Sequence, residues 1–158
     1  MLYIVCALKS EAQAFVDKYK LPKSKKNSLI TLLVSGIGSG NMFETTLNIV
    51  NSMSNNDTII NVGICGGDKK FHIGELIDAS KENLTCVDSE VSESGKYELV
   101  DMESDGFKKA TKNVKNKYIF KVVSDHFEPK RVTKENTKSL IFNVIDDINN
   151  IINFKVDN

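Results

Sequence analysis

Short, largely apolar runs alternate along this chain with segments of helical spacing, and that alternation restricts the fold more than any other feature. Residues 2–7, 29–34, 58–62 and 118–123 have strand length and little polar content. Runs of this kind belong to strands buried on both faces, which occur in parallel sheets covered by helices. Ser10 can cap a helix over about residues 11–19 that places Ala12, Phe15 and Val16 on one face. Phe43, Leu47 and Val50 mark a second helix over about 41–53, and a third is predicted over about 102–114. A last helix is predicted over about 134–152, with Leu140, Ile141, Val144, Ile145, Ile148, Ile151 and Ile152 as a dense apolar stripe. Residues 73–79 and 84–87 read as shorter strands, and 88–98 as a polar loop. The expected architecture is α/β, with a mostly parallel central sheet between two layers of helices. With no internal repeat and no linker, a single domain over residues 1–158 is expected.

Charge and cysteine usage narrow the partners. The 21 basic and 21 acidic residues cancel, which argues against nucleic acid bound through a broad basic surface. All the basic residues are lysines except Arg131, so a phosphate site built from several guanidinium forks is out of reach within one subunit. Cys6, Cys65 and Cys86 are odd in number and lack metal-ligand spacing, as expected of reduced thiols in a cytoplasmic protein. His72 and His126 also lack a second ligand at metal spacing. No metal and no cofactor are expected. The first apolar run is short and has no basic residues before it, so it reads as a strand and not a signal peptide. No stretch approaches the roughly 18–20 apolar residues of a membrane span, and no membrane partner is expected.

The unusual residues collect at the ends of the strands, where open parallel sheets bind their ligands. Glu11 follows the first strand, and Gly36, Gly38 and Gly40 follow the second. Gly63, Gly66 and Gly67 are read as a turn after the third, and Ser124 and Asp125 follow the late strand. The first glycine turn has two other readings. One is a dinucleotide fingerprint, but its third glycine position is Asn41, and no acidic residue closes the next strand. The other is a set of glycines serving only tight turns.

An ordered set of five segments resembles the nucleoside phosphorylase/nucleosidase superfamily, and within it the methylthioadenosine/S-adenosylhomocysteine nucleosidases. Ala7-Leu8-Lys9-Ser10-Glu11 resembles their first strand end, and Val34-Ser35-Gly36-Ile37-Gly38 their Ser-Gly-Ile-Gly turn. Asn61-Val62-Gly63-Ile64-Cys65-Gly66-Gly67 is similar to their Asn-x-Gly-x-x-Gly-Gly segment, with Ile73-Gly74-Glu75-Leu76-Ile77 as the strand after it. Val100-Asp101-Met102-Glu103-Ser104 is similar to their Met-Glu nucleoside-binding motif, and Val122-Val123-Ser124-Asp125 to the Ser-Asp that meets the purine.

The resemblance implies hydrolysis of the N-glycosidic bond of a purine nucleoside or thionucleoside, methylthioadenosine and S-adenosylhomocysteine being examples. It casts Asp125 as the acid that protonates the leaving base and Glu11 as the base that activates water. Glu103 would accept hydrogen bonds from the ribose, Met102 would pack on the sugar, and Ser124 would place Asp125. Ser35, Gly36, Ile37 and Gly63 complete the implied binding set. Each carboxylate also has an ordinary reading. Glu11 and Glu103 suit the start of a helix, and Asp125 suits a turn or cap. The superfamily's phosphorylases clamp phosphate with arginines, whereas here Arg131 is alone and Glu11 places negative charge at the point of attack.

Two departures from the family pattern bear on activity. Residues 78–101 are shorter than the family's segment, and residues 87–91 supply no aromatic ring to stack on the base. Ile64 stands where the family has a small or hydroxyl residue. The alternatives are thus a degenerate homologue that binds nucleosides without turnover, a purine nucleoside phosphorylase, and an unrelated nucleotide-binding α/β module. A homodimer is the expected assembly.

Overall fold

The computed structural model describes residues 1–156. The elements run β1 (Leu2–Cys6), α1 (Lys9–Tyr19), β2 (Ile30–Val34), α2 (Ser39–Val50), β3 (Thr58–Gly67), β4 (Leu76–Asp78), β5 (Leu84–Cys86), β6 (Leu99–Asp101), α3 (Ser104–Ala110) and β7 (Lys117–Asp125). A single 3-10 turn at Pro129–Arg131 then leads into α4 (Lys134–Phe142) and α5 (Ile145–Ile152).

β3 is the axis of the sheet. β1 and β7 flank it in parallel, and β2 extends the sheet in parallel beyond β1. β4 closes the far side antiparallel to β7. At its carboxyl end β3 outruns β1, so Gly66 and Gly67 pair antiparallel with β6, which carries β5 in parallel. The sheet is therefore mixed but mostly parallel.

Successive side chains of a strand point to opposite faces, and the two faces take different helices. Leu2, Ile4, Cys6, Ile60, Val62, Phe120 and Val122 pack with Phe15 of α1, Ile141 of α4, and Ile145 and Ile148 of α5. Val5, Ala7 and Ile59 pack with Met42 of α2 and Phe107 of α3. These are the three layers expected from the sequence.

Several boundaries differ from expectation, each for a local reason. β3 does not turn at Gly63 but continues to Gly67, because β7 and β6 supply it with partners along its whole length. β6 was not foreseen; its three residues are too few to show a period. α3 begins later than residue 102, because Asp101 accepts the Glu103 and Ser104 amides and holds 101–103 as a cap. It stops before residue 114: the Thr111 hydroxyl bonds Phe107 O, and the Lys117 ammonium bonds the Thr111 and Lys112 carbonyls just past its end. The single helix expected over 134–152 is two, broken at Asn143–Val144 by a tight turn in which the Val144 amide bonds Ile141 O at 3.1 Å. The buried stripe survives the break through Ile141, Val144, Ile145 and Ile148, but Ile151 lies off it and is 46% exposed. Among the described residues, no helix is long and apolar enough to cross a membrane.

The α2–α3 contact sets up the site and depends on one glycine. A Cβ built on Gly106 would lie 2.0 Å from Ser39 O and 2.8 Å from Ser39 C, so only hydrogen allows the two helices to meet. In an exposed helix, Gly→Ala stabilises by about 1 kcal/mol. Gly106→Ala is expected to do the opposite and destabilise by about 2 kcal/mol or more, since the helices must part. Urea unfolding of the variant checks this, and a stabilised variant would contradict the packing.

Candidate active site

Glu11 sits in the first turn of α1 with its carboxylate turned inward, 2% exposed. Oε1 accepts the amides of Ala7 at 3.1 Å and Leu8 at 2.8 Å, and Oε2 accepts the Ile64 amide at 2.8 Å. One side chain thereby ties the β1–α1 turn to β3. Burial pushes its pKa up to about 7, held from going higher by Lys121 and by the Leu8 and Ile64 amides, while Glu103 adds to the rise.

The space Glu11 occupies exists because residue 63 has no side chain. A Cβ on Gly63 would come within 2.7 Å of Glu11 Oε2 and 3.3 Å of Lys121 Nζ. The glycine serves a close approach within a strand, not the turn expected from the sequence.

Lys121 projects from β7 into the same place and is 1% exposed. Its ammonium pairs with Asp101 Oδ2 at 3.0 Å. Burial alone would lower its pKa; Asp101, Glu103 and Glu11 together outweigh that and raise it, so it stays charged. Asp101 also accepts the Ser104 hydroxyl at 2.5 Å and the Ser104 amide at 2.9 Å. Against the upward push of burial, Lys121 and the Ser104 hydroxyl lead the interactions that keep its pKa below the usual value.

Asp101 thus fixes the turn that presents Met102 and Glu103. Glu103 Oε2 accepts the Gly38 amide at 3.0 Å, and Ser39 Oγ donates to Met102 O at 3.4 Å. Gly38 has φ +98°, a left-handed conformation that turns its amide toward the carboxylate without steric cost. Burial raises the Glu103 pKa, with Lys121 and the Gly38 amide opposing.

The last piece comes from a bulge. β3 and β7 stay in register to Cys65 and Val123, after which Gly66 pairs with Asp125 and Ser124 is the extra residue. Bulges re-aim side chains at sheet rims. Here Ser124 Oγ lies 3.2 Å from Cys65 O and 2.6 Å from Asp125 Oδ1, while Asp125 Oδ2 accepts the Glu128 amide at 2.7 Å.

Glu11, Glu103, Ser124 and Asp125 open onto one cavity of about 200 Å³, with Ile37, Met102, Ile64 and Val100 on its walls. Ile37 forms the lip, 57% exposed. Ser35, Gly36 and Gly63 do not reach the wall. Ser35 Oγ donates to Gly36 O at 2.7 Å, its amide bonds Cys6 O, and the Gly36 amide bonds Ala7 O, so these two residues build the turn behind Ile37. Val87, Glu90 and Val91 of the short loop close one side with aliphatic groups. That loop is fastened by the Val87 amide on Asp101 O at 2.8 Å. His126 bonds Phe71 O and is not on the cavity wall. Among the described residues, no group of His, Cys, Asp and Glu is arranged to hold a metal.

Two charged residues of the site were missed from sequence. Lys121 interrupts the apolar run of β7 on a strand buried on both faces, and a lysine there needs carboxylates around it. Asp101 precedes Met102 at a helix start, where a capping acid is common.

No protein-family model and no curated protein matches the chain by sequence. Solved structures match by fold. The 5'-methylthioadenosine nucleosidase of Arabidopsis thaliana superposes with a TM-score of 0.70 at 16% identity, over 98% of this chain and 96% of that one. The 5'-methylthioadenosine/S-adenosylhomocysteine nucleosidase of Helicobacter pylori, solved with butyl-thio-DADMe-Immucillin-A, gives 0.73 at 12% identity over 96% and 97%. That of Colwellia psychrerythraea, solved with adenine, gives 0.73 at 13% identity over 99% and 97%. The chain has the fold of these nucleosidases.

The electrostatics make a direct prediction. A carbon-detected NMR titration of the Glu11 carboxyl should show a midpoint near 7, well above an ordinary glutamate. In Lys121→Met the cation that favours the ionised form is gone, so the midpoint should move higher still. A midpoint between 4 and 5 in the wild type, or a downward move in the variant, would contradict the burial and pairing described.

Proposed function

We propose that this chain is a purine nucleosidase that hydrolyses the N-glycosidic bond of a purine nucleoside or thionucleoside, such as methylthioadenosine or S-adenosylhomocysteine. The reading rests on one observation: three carboxylates distant in sequence, Glu11, Glu103 and Asp125, face a single cavity at the carboxyl ends of the strands. Cleaving a glycosidic bond requires a protonated leaving base, an activated water and negative potential around an oxocarbenium-like sugar. The cavity offers a carboxyl group for each.

In this scheme the base lies against Ser124 and Asp125, and Asp125 delivers a proton to the purine N7 as the carbon–nitrogen bond breaks. The electron pair leaves with the base. Water attacks the anomeric carbon and gives a proton to Glu11, whose pKa of about 7 suits a general base at neutral pH. Glu103 spends one oxygen on Gly38 and keeps the other for ribose hydroxyls, and Met102 packs against the sugar. Lys121 holds negative charge in the buried group by favouring ionised Glu11 and Glu103.

Water is favoured over phosphate as the nucleophile. Arg131 has a side chain 77% exposed and paired with Glu128, and it is absent from the cavity wall. The aliphatic wall at Val87 and Val91 supports a second reading, a homologue that binds nucleosides without turnover. The exposed Ile37 at the lip supports a homodimer in which a second copy covers it.

Incubation with methylthioadenosine in phosphate-free buffer is expected to release adenine. Asp125→Asn and Glu11→Gln should each slow release by about 10²–10⁴-fold in protein that circular dichroism shows to be folded, with Glu11→Gln melting lower because buried Lys121 loses one of its balancing charges. Wild-type rates in either variant would refute its role, and adenine binding without release from methylthioadenosine would favour the second reading.

A further inference from the structure

Four residues other than glycine have positive φ among the described residues: Lys20, Lys25, Phe127 and Asn153. Lys20, Lys25 and Asn153 are exposed, and Lys20 and Asn153 are left-handed caps at the ends of α1 and α5. Phe127 is different. It has φ +59°, is 3% exposed, and comes two residues after Asp125. A bulky residue takes this conformation only where its surroundings compel it, and such residues gather at functional sites. The hydrolytic scheme gives Phe127 no part.

The turn is pinned on each side. The His126 ring lies 2.8 Å from Phe71 O. The Phe127 ring is buried over Gly66: a Cβ built on that glycine would lie 3.5 Å from the ring's Cδ1, 3.2 Å from Val100 Cγ2 and 3.8 Å from Asp125 Oδ2. Beyond the turn, the Glu128 amide comes back to Asp125 Oδ2 at 2.7 Å. The reversal also returns the chain to the cavity, since Asp125 before it and Pro129 and Val132 after it line the same wall.

We propose that Phe127 is a positioning residue for Asp125, its buried ring holding the left-handed turn that keeps the Glu128 amide on the carboxyl. The proposal rests on the nucleosidase reading, in which Asp125 protonates the base. Ser124 Oγ lies 2.6 Å from Oδ1 and the amide engages Oδ2, so the carboxyl is fixed on both sides. An amide N–H can only donate, and the carbonyl oxygen of a carboxylic acid accepts better than its hydroxyl oxygen. The proton is therefore carried on Oδ1, beside Ser124. Ser124 can turn its own hydroxyl proton to Cys65 O, 3.2 Å away, and accept the Asp125 proton until the base arrives. Without the ring, nothing offsets the left-handed backbone at residue 127, and the amide and the carboxyl plane are released together.

The test compares two leaving groups. Adenine leaves methylthioadenosine with a proton on N7, whereas 4-nitrophenolate leaves 4-nitrophenyl riboside without one. In Phe127→Ala, kcat for methylthioadenosine is expected to fall about tenfold to a hundredfold, with KM within about threefold of wild type. Nitrophenolate release should stay within about threefold, because a leaving group that needs no proton does not depend on where Asp125 points. Hydrogen exchange should find the Glu128 amide protected in the wild type and open in the variant. Phe127→Leu keeps an apolar anchor and should give the same pattern in weaker form, so the comparison stands even where the alanine variant does not fold. Equal losses on both substrates, or a Glu128 amide still protected in Phe127→Ala, would overturn the positioning role and leave the nucleosidase reading standing. A wild type that cleaves neither substrate would overturn both.

Discussion

A single buried ammonium organises this molecule's functional end. Lys121 lies within the sheet, out of reach of water, and must be balanced where it stands. Asp101 does so directly at 3.0 Å, and Glu11 and Glu103 add their charge from two other elements. Removing one partner from a buried pair costs about 3–5 kcal/mol, because the survivor is left uncompensated. The lysine and the acids around it are therefore coupled: each makes the presence of the others tolerable. Three strands and two helix starts are held in mutual position by this one cluster.

The price is a residue with no side chain at the centre of β3. Gly63 lies where a carboxylate and an ammonium approach the backbone from the same face. The same device recurs at Gly106, where hydrogen is all that fits between α3 and Ser39. That contact brings the Gly38 amide to Glu103. The acids consequently differ in character. Glu11 is buried and its proton affinity is shifted into the neutral range, whereas Asp101 is held ionised by its partners. Burial and pairing act on all of them, and the balance between the two sets how far each carboxyl departs from its ordinary value.

Much of this was legible in the sequence. The apolar runs fixed the layers, because buried strands cannot be written any other way. Position at strand ends singled out Glu11, Ser124 and Asp125, the family resemblance added Glu103, and all four face the cavity. Glycine was the main source of error. Gly63, Gly66 and Gly67 suggested a turn, since nothing local tells a glycine needed for a bend from one needed for a close contact. Ser35 and Gly36 were placed at the ligand on the strength of a motif, but their polar groups are spent within their own turn. Lys121 was overlooked because a lone lysine in an apolar run has meaning only once the acids that surround it are known. The break between α4 and α5 was invisible for a related reason. The apolar stripe continues through it, so the pattern carries no mark of the bend.

The account requires that the cavity be a purine site with Asp125 at the base and Glu11 on the far side of the sugar. A crystal structure of the protein soaked with adenine examines that requirement most directly. Adenine should lie in the cavity with N7 within hydrogen-bond distance of the Asp125 carboxyl, leaving the space between Glu11 and Glu103 to solvent. Adenine bound elsewhere, or seated with its ring against Glu11, would contradict it.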